Sequence, residues 1–159
     1  MSSSHPTTRY QASLEERVAV LLLRAADFAG EQGEELFKSH GLTSTQYNVL
    51  RILRGAGPEG LPCKSVGDRM ISHDPDMTRL LDRMEKRGLI ARERQKDDRR
   101  VVKARITAPG LETLKKLDQP VREVHKKHFA HFSATKLKQL EELLGECQKP
   151  ASNDSSGSS

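Results

Sequence analysis

The chain is poor in aromatics, at 4% of 159 residues, and only 35% of it is hydrophobic. That composition excludes a thick single-chain core and points to helices completed by a partner chain or to a thin core. Two cysteines, Cys63 and Cys147, are too few for a disulfide framework and lack metal-site spacing, which favours a reducing compartment. No run approaches the ~20 apolar residues that a membrane helix requires. The start, Met1 to Thr8, has no basic segment followed by an apolar run, so it does not read as a secretory signal. A cytoplasmic location without membrane contact is expected.

The chain does have positive charge. The formal net charge is +5, which favours a polyanionic partner without identifying one. Nineteen residues, Leu89 to Thr107, hold seven basic residues against three acidic ones, a net +4. Placing that segment in the fold is therefore the central question.

Residues 1–12 read as a flexible arm. Leu14, Val18, Leu21, Leu22, Ala25 and Phe28 or Ala29 recur at helical spacing, with Gly30 and Gly33 weakening that helix near its end. Thr43-Ser-Thr-Gln46 is a capping box opening a short apolar helix with Tyr47, Val49, Leu50, Ile52 and Leu53. A third helix is expected over 63–70, with Val66, Met70 and Ile71 facing inward. Asp74 and Pro75 suit the cap and first position of a fourth helix that ends at Gly88. Leu89–Gln95 and Val101–Thr107 then alternate as two strands around the charged turn at 96–100. Thr107 caps a long helix carrying Leu114, Leu117, Val121 and Val124, in which Pro120 is expected to cause a kink or a new start. Ser133 opens a last helix, and 150–159 reads as a disordered tail. The class is mainly α with a small β-hairpin, in the order α-α-α-α-β-β-α-α.

Two short helices joined by a tight turn and followed by a hairpin form a winged helix-turn-helix pattern, and double-stranded DNA is the partner it fits. The second helix can enter a major groove. Met77, Leu80, Leu81 and Met84 face inward, which leaves Ser72, His73, Asp76, Thr78, Arg79, Asp82 and Arg83 to face DNA. Arg79 is suited to guanine or to an ion pair with Asp76 or Asp82; Asp76 can accept from cytosine or fix a neighbouring arginine. Arg94, Arg99 and Arg100 on the wing can meet phosphates or the minor groove. The rival readings of the wing are a solvated charged hairpin, an architectural DNA binder and a protein-interaction adaptor.

Asp76-Met-Thr-Arg-Leu-Leu-Asp-Arg-Met-Glu-Lys-Arg-Gly-Leu-Ile90, followed by Asp98-Arg-Arg100 and Ile106-Thr107, resembles the MarR family (multiple antibiotic resistance-type regulators). The resemblance runs from about residue 14 to 147. It implies that Asp98 orients Arg100 and that Arg100 enters the minor groove. It also implies a homodimer, with a MarR-like domain over 13–149, the winged helix at 43–107 and dimerisation helices at 13–40 and 108–149. The expected function is a ligand-responsive repressor on a pseudo-palindromic operator. No cofactor is required; a small aromatic or lipophilic effector is expected, in a crevice walled by the 14–30, Tyr47 and 111–132 helices.

Other reactive groups are weaker candidates. His125, His128 and His131 are three residues apart, but each step drifts about 60° around a helix, so they favour core or interface roles over a metal site. Cys63 opens a short helix beside Lys64, where the helix dipole can lower a thiol pKa and permit redox sensing. Cys147 reads as a small hydrophobe. No nucleophile–base grouping or phosphate loop is present, so an enzyme is not expected.

Overall fold

A computed structural model describes residues 10–72 and 74–148; residues 1–9, His73 and residues 149–159, including most of the proposed arm and all of the proposed tail, lie outside the described residues. The elements are α1 (Leu14–Ser39), α2 (Ser44–Ala56), β1 (Leu61–Pro62), α3 (Cys63–Asp68), α4 (Met77–Lys86), β2 (Ile90–Arg94), β3 (Val102–Ile106), α5 (Ala108–His128) and α6 (Ala134–Cys147). The chain divides into two compact units, one ending at Val121 and the other starting at Arg122.

The first unit holds the winged helix. Its core is built from Val49, Leu50 and Leu53 of α2, Val66 of α3, and Leu80, Leu81 and Met84 of α4, closed by Ile90, Ala104, Leu114 and Leu117. Each buried leucine contributes about 1.5–3 kcal/mol. Arg54 of α2 donates to both carboxylate oxygens of Asp118 on α5, at 2.8 and 3.0 Å, fixing those helices beside the core.

Helix ends follow their local chemistry. The Thr43 box forms as expected: its hydroxyl accepts from the Gln46 N–H, and Gln46 accepts from the Thr43 N–H. At the end of α4 the Leu89 N–H donates to Met84 O and the Gly88 N–H to Glu85 O, a Schellman closure with Gly88 at φ 72°. Leu89 and Met84 are both buried, which supplies the apolar contact of that motif. The same pair of bonds closes α1, from Leu42 to Phe37 and from Gly41 to Lys38.

Several expectations change. The sheet has three strands in the order β1-β3-β2, because Leu61 and Pro62 pair with Ala104 and Lys103. Two residues carry too little alternation to announce a strand. α1, expected over 13–40, does run unbroken through Gly30 and Gly33 to Ser39; two glycines weaken a helix by only ~1 kcal/mol each, and Phe37 anchors its end by stacking on Tyr47 at 4.2 Å. α3 stops at Asp68, and Ile71 is 81% exposed rather than inward. The intervening turn carries Ile71 away from the core. α5 runs through Pro120 as one helix, so no new segment starts there; proline removes one backbone bond, and the flanking turns span the gap.

In the second unit, Ser133 caps α6 by accepting from the Lys136 N–H. None of the residues of α6 is buried, and Cys147 is exposed rather than packed as a small hydrophobe. Among the described residues, no helix is long and apolar enough to cross a membrane.

Candidate nucleic-acid interface

The second helix of the pair is set two residues later than the sequence suggests. Asp74 accepts from the Asp76 N–H at 2.8 Å, forming a turn that carries the chain through Pro75. Asp76, not Asp74, is then the cap, accepting from the Arg79 N–H at 3.2 Å. A side-chain turn at Asp74 competes with early helix entry and wins. Asp76 also pairs with Arg79 at 3.2 Å, the ion pair raised as one of the two alternatives for each residue. The Arg79 side chain remains 80% exposed. Ser72, Thr78 and Arg83 are exposed alongside it, while Leu80, Leu81 and Met84 are buried and Met77 is partly buried. His73 lies outside the described residues.

Asp82 does not join that open face. Its carboxylate accepts from Arg92 of β2 at 2.5 Å, and Glu85 accepts from the same guanidinium at 2.7 and 3.0 Å. Arg92 holds the Glu85 carboxyl below its ordinary range, so the contact is complete at neutral pH and is lost on acidification through that lowered value. This network was missed by sequence reasoning, which counted Arg92 only as wing charge. Its signal was two carboxylates three residues apart on α4, followed by an arginine on the returning strand.

The wing strands pair from Ile90↔Ile106 to Arg94↔Val102. At the tip, Asp98 accepts from the Arg100 backbone N–H at 3.0 Å and from its Nε at 3.1 Å. The Arg100 side chain is nevertheless 92% exposed, so it is held by its root and open at its end. Arg94 and Arg99 are also exposed. Arg105 has Glu93 at 4.0 Å. The wing's positive surface is therefore concentrated near its tip.

The helix pair, the three-stranded sheet and the exposed wing make a winged helix-turn-helix. The profile of the MarR family matches residues 42–102. A MarR transcription factor from Planctomyces limnophilus is 37% identical, with 86% of this chain and 98% of that chain covered and a TM-score of 0.65. The chain belongs to the MarR family. The MarR regulators resembling it include the homoprotocatechuate degradative operon repressor of Escherichia coli, 28% identical over 133 residues, which are 84% of this chain and 88% of that protein. The fold is also that of NadR, solved in complex with 4-hydroxyphenylacetate, at 24% identity and a TM-score of 0.70 over 90% of this chain and 97% of that one. The family and the first two of these relatives are transcription regulators, not enzymes.

Cys63 departs from its expected chemistry. It is half-buried beside a cavity of about 620 Å³ that Met70, Met77, Thr78, Leu81 and Arg92 also line. Burial pushes its thiol pKa up, outweighing the opposite pull of Arg92, so the expected lowering by a helix start does not occur. α3 has only six residues, too short for a strong dipole. In a Cys147→Ser background, Cys63 should react more slowly than free cysteine with a thiol reagent at neutral pH. Faster reaction than free cysteine would restore a redox role. Among the described residues, no three His, Cys, Asp or Glu side chains converge as metal ligands; His128 and His131 instead meet the rings of Phe129 and Phe132.

Proposed function

We propose that the protein is a homodimeric, effector-responsive repressor that binds a pseudo-palindromic operator in the cytoplasm. The observation that carries this reading is the pairing of an exposed α4 face, bearing Ser72, Thr78, Arg79 and Arg83 at or near it, with a wing tip whose Arg100 is anchored yet open. A helix suits base edges in the major groove, and an extended arginine suits the narrow minor groove. Asp76 acts here by fixing Arg79, while Arg94, Arg99 and Arg100 engage phosphates or the minor groove and Asp98 orients Arg100.

Dimerisation is supported by apolar side chains that stand exposed among the described residues. Leu14, Val18, Leu21 and Leu22 of α1 are exposed. Within the second unit, Phe129, Leu137, Leu140 and Leu144 line an apolar groove of about 530 Å³. A two-fold dimer places two recognition helices about 34 Å apart, one turn of DNA. The effector is a small aromatic or lipophilic molecule bound beside Tyr47, a class supported by the 4-hydroxyphenylacetate complex of NadR. Such a ligand acts only through different affinities for the DNA-bound and free spacings of the dimer.

Genome-wide mapping of sites bound by the purified protein tests this. The expected outcome is one enriched pseudo-palindrome, bound with steep salt dependence. Salt-sensitive binding without sequence preference would replace the repressor with an architectural role. Arg79→Ala should weaken specific binding about tenfold or more and non-specific binding less; an equal loss on both would reassign Arg79 to phosphate.

A further inference from the structure

We infer that Arg92 is a positioning residue of the DNA interface, a clamp joining the wing to the recognition helix so that the two move as one body, and that it is not a phosphate ligand. The inference rests on the DNA-binding reading above.

By charge alone Arg92 is one of seven basic residues in the wing segment. By geometry it stands apart from the others. Its side chain is only 22% exposed, against 92% for Arg100 at the tip. Its guanidinium bridges two carboxylates on α4: Asp82 at 2.5 Å through Nη2, and Glu85 at 2.7 Å through Nη2 and 3.0 Å through Nε. The two acceptors are three residues apart on one helix face, which matches the planar fork of an arginine and not the point charge of a lysine. A guanidinium occupied in this way has little left to offer a phosphate.

A backbone bond completes the clamp. Among the described residues β2 pairs only with β3, which makes it the edge strand of the sheet on this side. Its outward N–H groups need other acceptors. Glu85 supplies one, accepting from the Arg92 N–H at 2.9 Å through the oxygen not shared by the guanidinium. Glu85 therefore holds the backbone and the side chain of one wing residue at once. The link between α4 and β2 is itself short, closed by the bonds from Gly88 and Leu89. With both ends fixed, a displacement of α4 carries the wing with it, and major- and minor-groove contacts form or break together.

The test uses the full chain carrying Arg92→Ala, Arg92→Lys, Glu85→Gln or Arg100→Ala. Hydrogen exchange in the absence of DNA reads the clamp directly. In Arg92→Ala, amides of β2 and β3 should exchange at least about tenfold faster while the core amides of α2 keep their protection. Operator binding across a salt series reads the role. Arg92→Ala should bind about tenfold more weakly with an unchanged slope of log affinity against log salt, whereas Arg100→Ala should lower that slope by about one. Arg92→Lys should not rescue either readout, and Arg92→Ala combined with Glu85→Gln should lose no more than the worse single variant. A slope lowered by about one in Arg92→Ala would overturn the inference by making the residue a phosphate ligand. Unchanged exchange in the wing would overturn it by removing the clamp, and unchanged affinity with a loosened wing would reduce Arg92 to a purely structural role. If the wild-type chain bound no operator, the repressor reading would fail on that result alone, while the exchange data would still decide the clamp.

Discussion

Gly110→Val is expected to leave the winged domain largely unfolded, and Gly110→Ala to lower its thermal midpoint by roughly 5–10 °C. Gly110 lies in the first turn of α5, where Thr107 accepts its N–H at 3.2 Å and donates its own hydroxyl to Gly88 O. A Cβ at position 110 would stand 2.3 Å from Leu89 O and 2.8 Å from Cγ1 of Ile106. Neither neighbour can easily retreat. Leu89 O accepts the Thr107 N–H at 3.1 Å, and Leu89 itself closes the end of α4. Ile106 is held in β3 opposite Ile90. The extra methyl must therefore displace α5 from the junction where α4, β2 and β3 meet. Gly30→Ala is the control, since nothing lies within 4 Å of a Cβ there and helix propensity alone should make it neutral or slightly stabilising. The check is thermal unfolding by circular dichroism. If Gly110→Ala melts with the wild type, the start of α5 is free to shift and the junction is not rigid.

The sequence carries the elements more clearly than their connections. Capping residues and period changes act over three or four positions, so Thr43, Gly88, Thr107 and Ser133 mark their helix ends and the wing strands fall at Ile90–Arg94 and Val102–Ile106. The start of α4 was misplaced because Asp74 and Asp76 are equally good caps, and only the turn through Pro75 decides between them. β1 was invisible because its pairing depends on Ala104 and Lys103, more than forty positions away in a different element. Charge was legible as a total but not by role. Arg92 and Arg100 look alike in sequence, yet one is nearly enclosed by carboxylates and the other projects from the tip. The pKa of Cys63 was misjudged for a similar reason: its position at a helix start is local information, whereas its burial is not.

Arg100→Ala is expected to weaken operator binding about 100-fold at physiological salt while leaving the oligomeric state unchanged. The turn around it is built in advance of any ligand. Val101 N–H donates to Asp98 O at 3.0 Å and Gln95 N–H to Val101 O at 2.9 Å, which closes the hairpin end. Asp98 then grips Arg100 through the backbone N–H and Nε, at 3.0 and 3.1 Å. The root of a long, flexible side chain is thus ordered before binding, and less conformational entropy is lost when its free end enters a groove. Asp98→Ala should therefore weaken binding less, by about tenfold, because the charge remains and only its orientation is lost. Arg100 holds the Asp98 carboxyl below its ordinary range, so the grip persists at neutral pH and fails only as pH falls through that lowered value. Fluorescence anisotropy on the mapped operator gives the affinities, and analytical ultracentrifugation gives the oligomeric state. Undiminished binding by Arg100→Ala would remove the wing tip from the DNA interface, and an equal loss for Asp98→Ala would show that the orientation, rather than the charge, dominates the contact.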